Sequence, residues 1–133
     1  RRDFKIVPIC LMKINYQTCE EISKDIVEAI NRLERRSILI VASSDMTHYE
    51  SHENASRKDM QVIDLILQRN ARAVFSTVQR QNITMCGVIP ATIMLMCCNQ
   101  MGASQAELVK YMTSGETSGD YKRVVGYAGV IIK

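Results

Sequence analysis

Ser37-Ile-Leu-Ile-Val-Ala-Ser-Ser-Asp-Met-Thr-His-Tyr49 is the stretch on which the reading of this chain turns. Five apolar residues, Ile38 to Ala42, run without a break into a polar cluster of Ser43, Ser44, Asp45, Thr47 and His48. A short continuous apolar run bounded by polar residues predicts a strand buried on both faces of a parallel sheet. In open α/β sheets, ligands bind beyond the carboxyl ends of the strands. Asp45 and His48, three residues apart just past such a strand, therefore stand where a site is expected.

Working outward, the 133 residues are one domain's worth of chain. Hydrophobic residues make up 47% and charged residues 23%, a globular balance that leaves enough apolar side chains for a core. The net charge of +3, with both signs interleaved, argues against a nucleic-acid partner. The local exception, Arg32-Leu33-Glu34-Arg35-Arg36, reads as a water-facing helix end where cations suit the dipole. Five cysteines, an odd number with no Cys-x-x-Cys spacing, speak against a disulfide framework or a structural zinc site and point to a reducing, cytoplasmic setting. No apolar run approaches the ~18 residues of a membrane span, and neither a span nor a signal peptide is expected from these residues. The chain opens Arg1-Arg2-Asp3 and passes at once into an apolar run, so a fragment or a processed chain is expected.

Before the opening stretch, Phe4 to Met12 reads as a strand, with Pro8 demanding an edge or a bulge. Thr18-Cys-Glu-Glu21 has the form of a capping box. Ile22, Ile26, Val27, Ile30 and Leu33 then form one apolar stripe, in a helix expected to end near Arg35. Strand, helix and strand in that order predict a right-handed βαβ unit. After the polar cluster, Asn54 is expected to cap a helix that buries Met60, Ile63, Ile66 and Leu67 and keeps Asp59 and Asp64 wet. Ala71 to Arg80 predicts a short helix turning Val74, Phe75 and Val78 inward. Ala91 to Met101, with Pro90 in the first turn and Gly102 at the C-terminal end, is apolar on every face and so a buried helix, its methionines filling the core. Leu108–Thr113 and Val124–Ile132 predict an antiparallel hairpin around a polar loop.

Three features carry chemistry. Asp45 and His48 fit metal binding, or a carboxylate–imidazole pair for proton transfer, or a structural role in which Asp45 caps a turn. Ser43 and Ser44 orient that turn. Cys86, in Met-Cys-Gly-Val-Ile-Pro90, precedes a helix N-terminus, a position that favours thiolate and hence a nucleophile or soft ligand; the plain alternative is an inert buried thiol. Cys97 and Cys98 are core-like. The third feature, Ser114 to Asp120, has the glycines and hydroxyls of an anion cradle but lacks the phosphate-loop pattern, and reads as an ordinary loop. His52 reads as a solvated loop residue.

Ser43-Ser-Asp-Met-Thr-His48-Tyr, Met-Cys86-Gly-Val-Ile-Pro90, Tyr111-Met-Thr-Ser-Gly-Glu-Thr-Ser-Gly-Asp120 and Val124-Val-Gly-Tyr-Ala resemble, in order and spacing, the Memo family, most nearly its archaeal and bacterial branch. The resemblance runs from Phe4-Lys-Ile-Val-Pro onward. It implies an α/β fold like that of the class III extradiol dioxygenases, with a central mixed β-sheet and helices on both faces. Residues 1–133 would be a single domain or the C-terminal half of one, the N-terminal half missing. It implies a pocket in which Asp45, His48 and Cys86 act as catalytic and metal-binding groups, redox-active with iron or copper. The first two histidines of the family pattern have no counterpart here, where His48 and His52 are the only ones. Iron or copper is thus expected in the intact protein, with no tight binding by this chain alone. The implied partners are the missing half of the fold or further copies of the chain. The alternative function is a non-catalytic peptide- or ligand-binding adaptor.

Overall fold

The structure is a computed structural model that describes residues 3–33 and 37–133. The C-terminal end of the Arg32–Arg36 charge cluster lies outside the described residues, but the first helix already ends at Asn31, short of the expected Arg35, and leaves Leu33 beyond its stripe and exposed.

Eight elements follow one another: α1 (Tyr16–Asn31), β1 (His48–Glu50), α2 (His52–Leu67), α3 (Ala71–Arg80), α4 (Val88–Gln100), β2 (Ala106–Thr113), α5 (Gly115–Ser118) and β3 (Val124–Ile132). The class is α/β. The sheet, however, is three-stranded with order β1-β3-β2 and antiparallel throughout, where a central mixed sheet was expected. The β2–β3 hairpin forms as the sequence predicts. The register shifts between Leu108 and Lys110 of β2.

Neither apolar run flanking α1 enters that sheet. Phe4–Met12 and Ile38–Ala42 carry no strand among the described residues. Val7 is 82% exposed, Leu39 85% and Val41 74%. A strand is defined by its neighbours, and neither run has one here, so the predicted βαβ unit is absent. The sheet instead takes in the chain from the last residue of the polar cluster, at His48–Glu50.

Helix α2 lies between the layers, packed on β1, β2 and β3 on one side and on α3 on the other. Helices α1, α3 and α4 pack together beyond it. Helix α4 buries Ile89, Ala91, Thr92, Ile93, Leu95, Met96 and Cys97, which leaves it hardly any wet face, as expected of a helix apolar all round. Three helix starts differ in detail from expectation or sharpen it. Asn15, not Thr18, caps α1, its Oδ1 accepting the Thr18 amide at 2.8 Å. Ser51, not Asn54, caps α2. Asn70, read as a break, caps α3 by accepting the Ala73 amide at 3.0 Å. Gly102, at φ +87°, takes the left-handed turn that ends α4.

Asp59 reverses its expected place. It is fully buried, whereas Met60 is partly exposed. The inward stripe of α2 is Ala55, Asp59, Val62, Ile63 and Ile66.

Candidate metal centre

Residues 45–48 are held by four consecutive backbone amides, each donating to a different part of the chain. Asp45 N–H donates to Cys86 Sγ at 3.2 Å, and Met46 N–H to the Gly126 carbonyl of β3 at 2.9 Å. Thr47 N–H donates to Asp59 Oδ1 of α2 at 2.9 Å, and His48 N–H to Thr84 Oγ1 at 2.7 Å. The Gly126 amide returns a bond to the Thr47 carbonyl at 2.9 Å. The turn is therefore fixed from β3, from α2 and from the segment leading into α4. Thr84, Gly126 and Asp59 drew no functional reading from the sequence. For Asp59 the signal was available: Ala55, Asp59, Val62 and Ile66 fall on one helical face.

Behind this turn, Ser44 Oγ accepts the Gly87 amide at 2.9 Å and donates to the Asp45 carbonyl at 2.6 Å. Ser44 thus orients the turn. A Cβ on Gly87 would stand 2.4 Å from Ser44 Cβ, so only glycine lets the start of α4 approach so closely. That approach brings Cys86 to Asp45. Beyond the turn, Tyr49 adopts φ +61° at a bulge between His48 and Glu50 on β1, a left-handed conformation that costs a non-glycine residue about 1–2 kcal/mol. The guanidinium of Arg123 sits 5.4 Å from the Tyr49 ring.

The result is a cluster. One ligand atom each from Asp45, His48 and Cys86 lies within 4.8 Å of the others. His48 Nε2 and Asp45 Oδ2 are 3.5 Å apart. Their side chains are 23% and 49% exposed, and Cys86 is exposed, so the cluster opens to solvent. The donor set mixes imidazole nitrogen, carboxylate oxygen and sulfur, which suits a first-row transition ion. Such an ion, bound at roughly 2.0–2.3 Å, holds its ligand atoms about 3.5 Å apart. The His48–Asp45 separation already meets that spacing, and the three residues fit a metal.

The other sequence candidates lie elsewhere. Cys97 is buried and its Sγ donates to the Ser23 carbonyl at 3.6 Å; burial chiefly pushes its thiol up to about 11. Cys98 is half-buried and its thiol is likewise raised by burial. His52, expected in solvent, begins α2 half-buried, with Nδ1 2.9 Å from Thr113 Oγ1 and its ring edge-on to Tyr121. The Ser114–Asp120 stretch, expected as an ordinary loop, instead forms the single turn of α5: the Thr117 and Ser118 amides donate to the Ser114 carbonyl and the Gly119 amide to that of Gly115. No helix among the described residues is long and apolar enough to cross a membrane.

The sequence matches the family described as Memo-like protein over residues 1–131. A MEMO1 family protein of Methanocaldococcus jannaschii is 46% identical over 130 residues, covering 98% of this chain and 45% of the relative. One of Methanopyrus kandleri is 41% identical over 130 residues, covering 98% and 46%. One of Methanosarcina mazei is 41% identical over 132 residues, covering 99% and 49%. The chain spans about half the length of these curated relatives. With a family match over almost every residue and archaeal relatives aligned from end to end of this sequence, the chain belongs to the Memo-like protein family.

Proposed function

We propose that Asp45, His48 and Cys86 bind one redox-active first-row metal ion, iron or copper, in a site of the metal-dependent dioxygenase kind. The observation that carries this reading is the convergence of three different ligand atoms within 4.8 Å, from segments 41 positions apart in the chain. In it, the His48 imidazole supplies a neutral nitrogen ligand. Cys86 supplies sulfur, whose negative charge is complemented by the Asp45 amide. The Asp45 carboxylate completes the set or holds a proton beside His48 Nε2. Three protein ligands leave coordination positions open, the pattern of catalytic rather than closed structural sites. The bound ion would supply one-electron and Lewis-acid chemistry.

Metal analysis of the purified full gene product, prepared anaerobically, tests this. Near-stoichiometric iron or copper is expected. His48→Ala and Cys86→Ala should each lower occupancy at least about tenfold while the melting temperature stays within a few degrees. Wild-type occupancy in both variants would overturn the assignment. The openness of the cluster supports a second reading, a ligand- or peptide-binding adaptor in which the same polar groups only position a partner. That reading expects partner binding to survive removal of the metal.

A partner for the two unpaired runs belongs to the same proposal. Val7, Leu39 and Val41 each forgo about 1.5–3 kcal/mol that full burial would contribute. Strands added beside Phe4–Met12 and Ile38–Ala42 would bury them. The occupant they fit is the length of Memo-type sequence that the relatives carry beyond the matched region, about as long again.

A further inference from the structure

Asp59 is the one fully buried charged side chain among the described residues. Its partners are an amide and a phenol rather than a cation: Oδ1 accepts the Thr47 amide at 2.9 Å, and Oδ2 accepts the Tyr111 hydroxyl at 2.9 Å. The carboxylate also presses on β3, where a Cβ on Gly126 would stand within 1.9 Å of Oδ2. Burying a carboxylate without a cation is costly, and an apolar residue would satisfy the α2 stripe. What the charge supplies is a hydrogen bond about twice as strong as a neutral one, directed at a single amide. That amide belongs to Thr47. Asp45 lies two residues before it and His48 immediately after it.

We propose that Asp59 is a positioning residue for the Asp45–His48–Cys86 site. Its carboxylate fixes the Thr47 peptide, and through it the direction in which the flanking acid and imidazole project toward Cys86. Of the four amides that hold the turn, only this one is held by a side chain from the core of the helical layer. It thereby ties the site to α2 rather than to its own neighbours. The proposal rests on the metal-site reading above, but the geometry of the turn can be followed without metal.

The test uses the full gene product, anaerobic and reduced, in wild-type, Asp59→Asn, Asp59→Ala and Tyr111→Phe forms. Two quantities are read. One is the dissociation constant for Co(II). The other, on metal-free protein, is the rate of Cys86 alkylation by iodoacetamide, followed by peptide mass spectrometry so that exposed Cys10 is scored separately. Asp59→Ala should weaken Co(II) binding at least about tenfold, and Asp59→Asn, which keeps a neutral acceptor, about threefold. Both should slow Cys86 alkylation about threefold, because the turn that carries the Asp45 amide to Sγ drifts. Tyr111→Phe removes the other partner of the carboxylate and leaves the Thr47 bond, so both quantities should stay within about twofold of wild type. Asp59→Asn at wild-type values overturns the proposal, as does Tyr111→Phe falling together with Asp59→Asn, which would mark a general loss of packing. If Asp59→Ala does not fold, the contrast between Asn and Phe decides. If wild type takes up no Co(II), the metal reading fails, and alkylation alone decides whether Asp59 positions the turn.

Discussion

At the scale of single residues, the site depends on atoms that have no room to move. Gly126 lies where β3 meets the Asp59 carboxylate, and a methyl there would overlap Oδ2. Gly126→Ala should therefore cost about 3 kcal/mol or more, read as the shift of the urea unfolding midpoint. Gly129 is on the same strand, and its nearest neighbour to an added Cβ is 3.9 Å away. Gly129→Ala should stay within about 0.5 kcal/mol. Equal losses at the two positions would mean that strand flexibility, not the carboxylate, sets the requirement. Tyr111 shows the same crowding from the opposite side: burial chiefly, with the Asp59 carboxylate adding to it, raises its hydroxyl above the ordinary tyrosine range. The phenol therefore stays protonated and able to donate to Asp59.

At the scale of elements, capping separates positions that look alike in sequence. Asn15→Ala should cost about 1 kcal/mol in a denaturation experiment, because it orphans the Thr18 amide. Glu21→Ala should cost little, since the Thr18–Glu21 box does not form. A larger loss at Glu21 would contradict the assigned start of α1. Helices α3 and α4 and the β2–β3 hairpin were legible because their signals are local: Val74, Phe75 and Val78 repeat at helical spacing, and Leu108–Thr113 and Val124–Ile132 flank one loop. The sequence also singled out Asp45, His48 and Cys86, which the fold brings together. Ile38–Ala42 was misread because an apolar run states what a strand is made of, not what lies beside it. Asp59 was misread because an acid on a helix is usually wet, and only its 2.9 Å bonds to Thr47 and Tyr111 make burial tolerable.

At the scale of the molecule, one layer is finished and another is open. The packing of α1 and α3 on α4, and of α3 on α2, is closed, whereas Phe4, Ile6, Val7, Ile9 and Met12 and, after α1 in the chain, Leu39 and Val41 face solvent. Surfaces of this kind associate. The 133-residue chain by itself should show a mass that rises with concentration in light scattering, and Val7→Lys with Leu39→Lys should reduce the rise. A single monomeric mass over a hundredfold range of concentration would count against it.

The four amides of residues 45–48 bond to positions 12 to 80 residues away along the chain. Contacts of that separation form together, late in folding, and are lost together. Loss of the turn and opening of the chain would then be one event. The amides of residues 45–48 should exchange hydrogen for deuterium no faster than the protein unfolds, and variants that unfold sooner should exchange there in the same proportion. The turn would keep its shape for as long as the whole fold lasts.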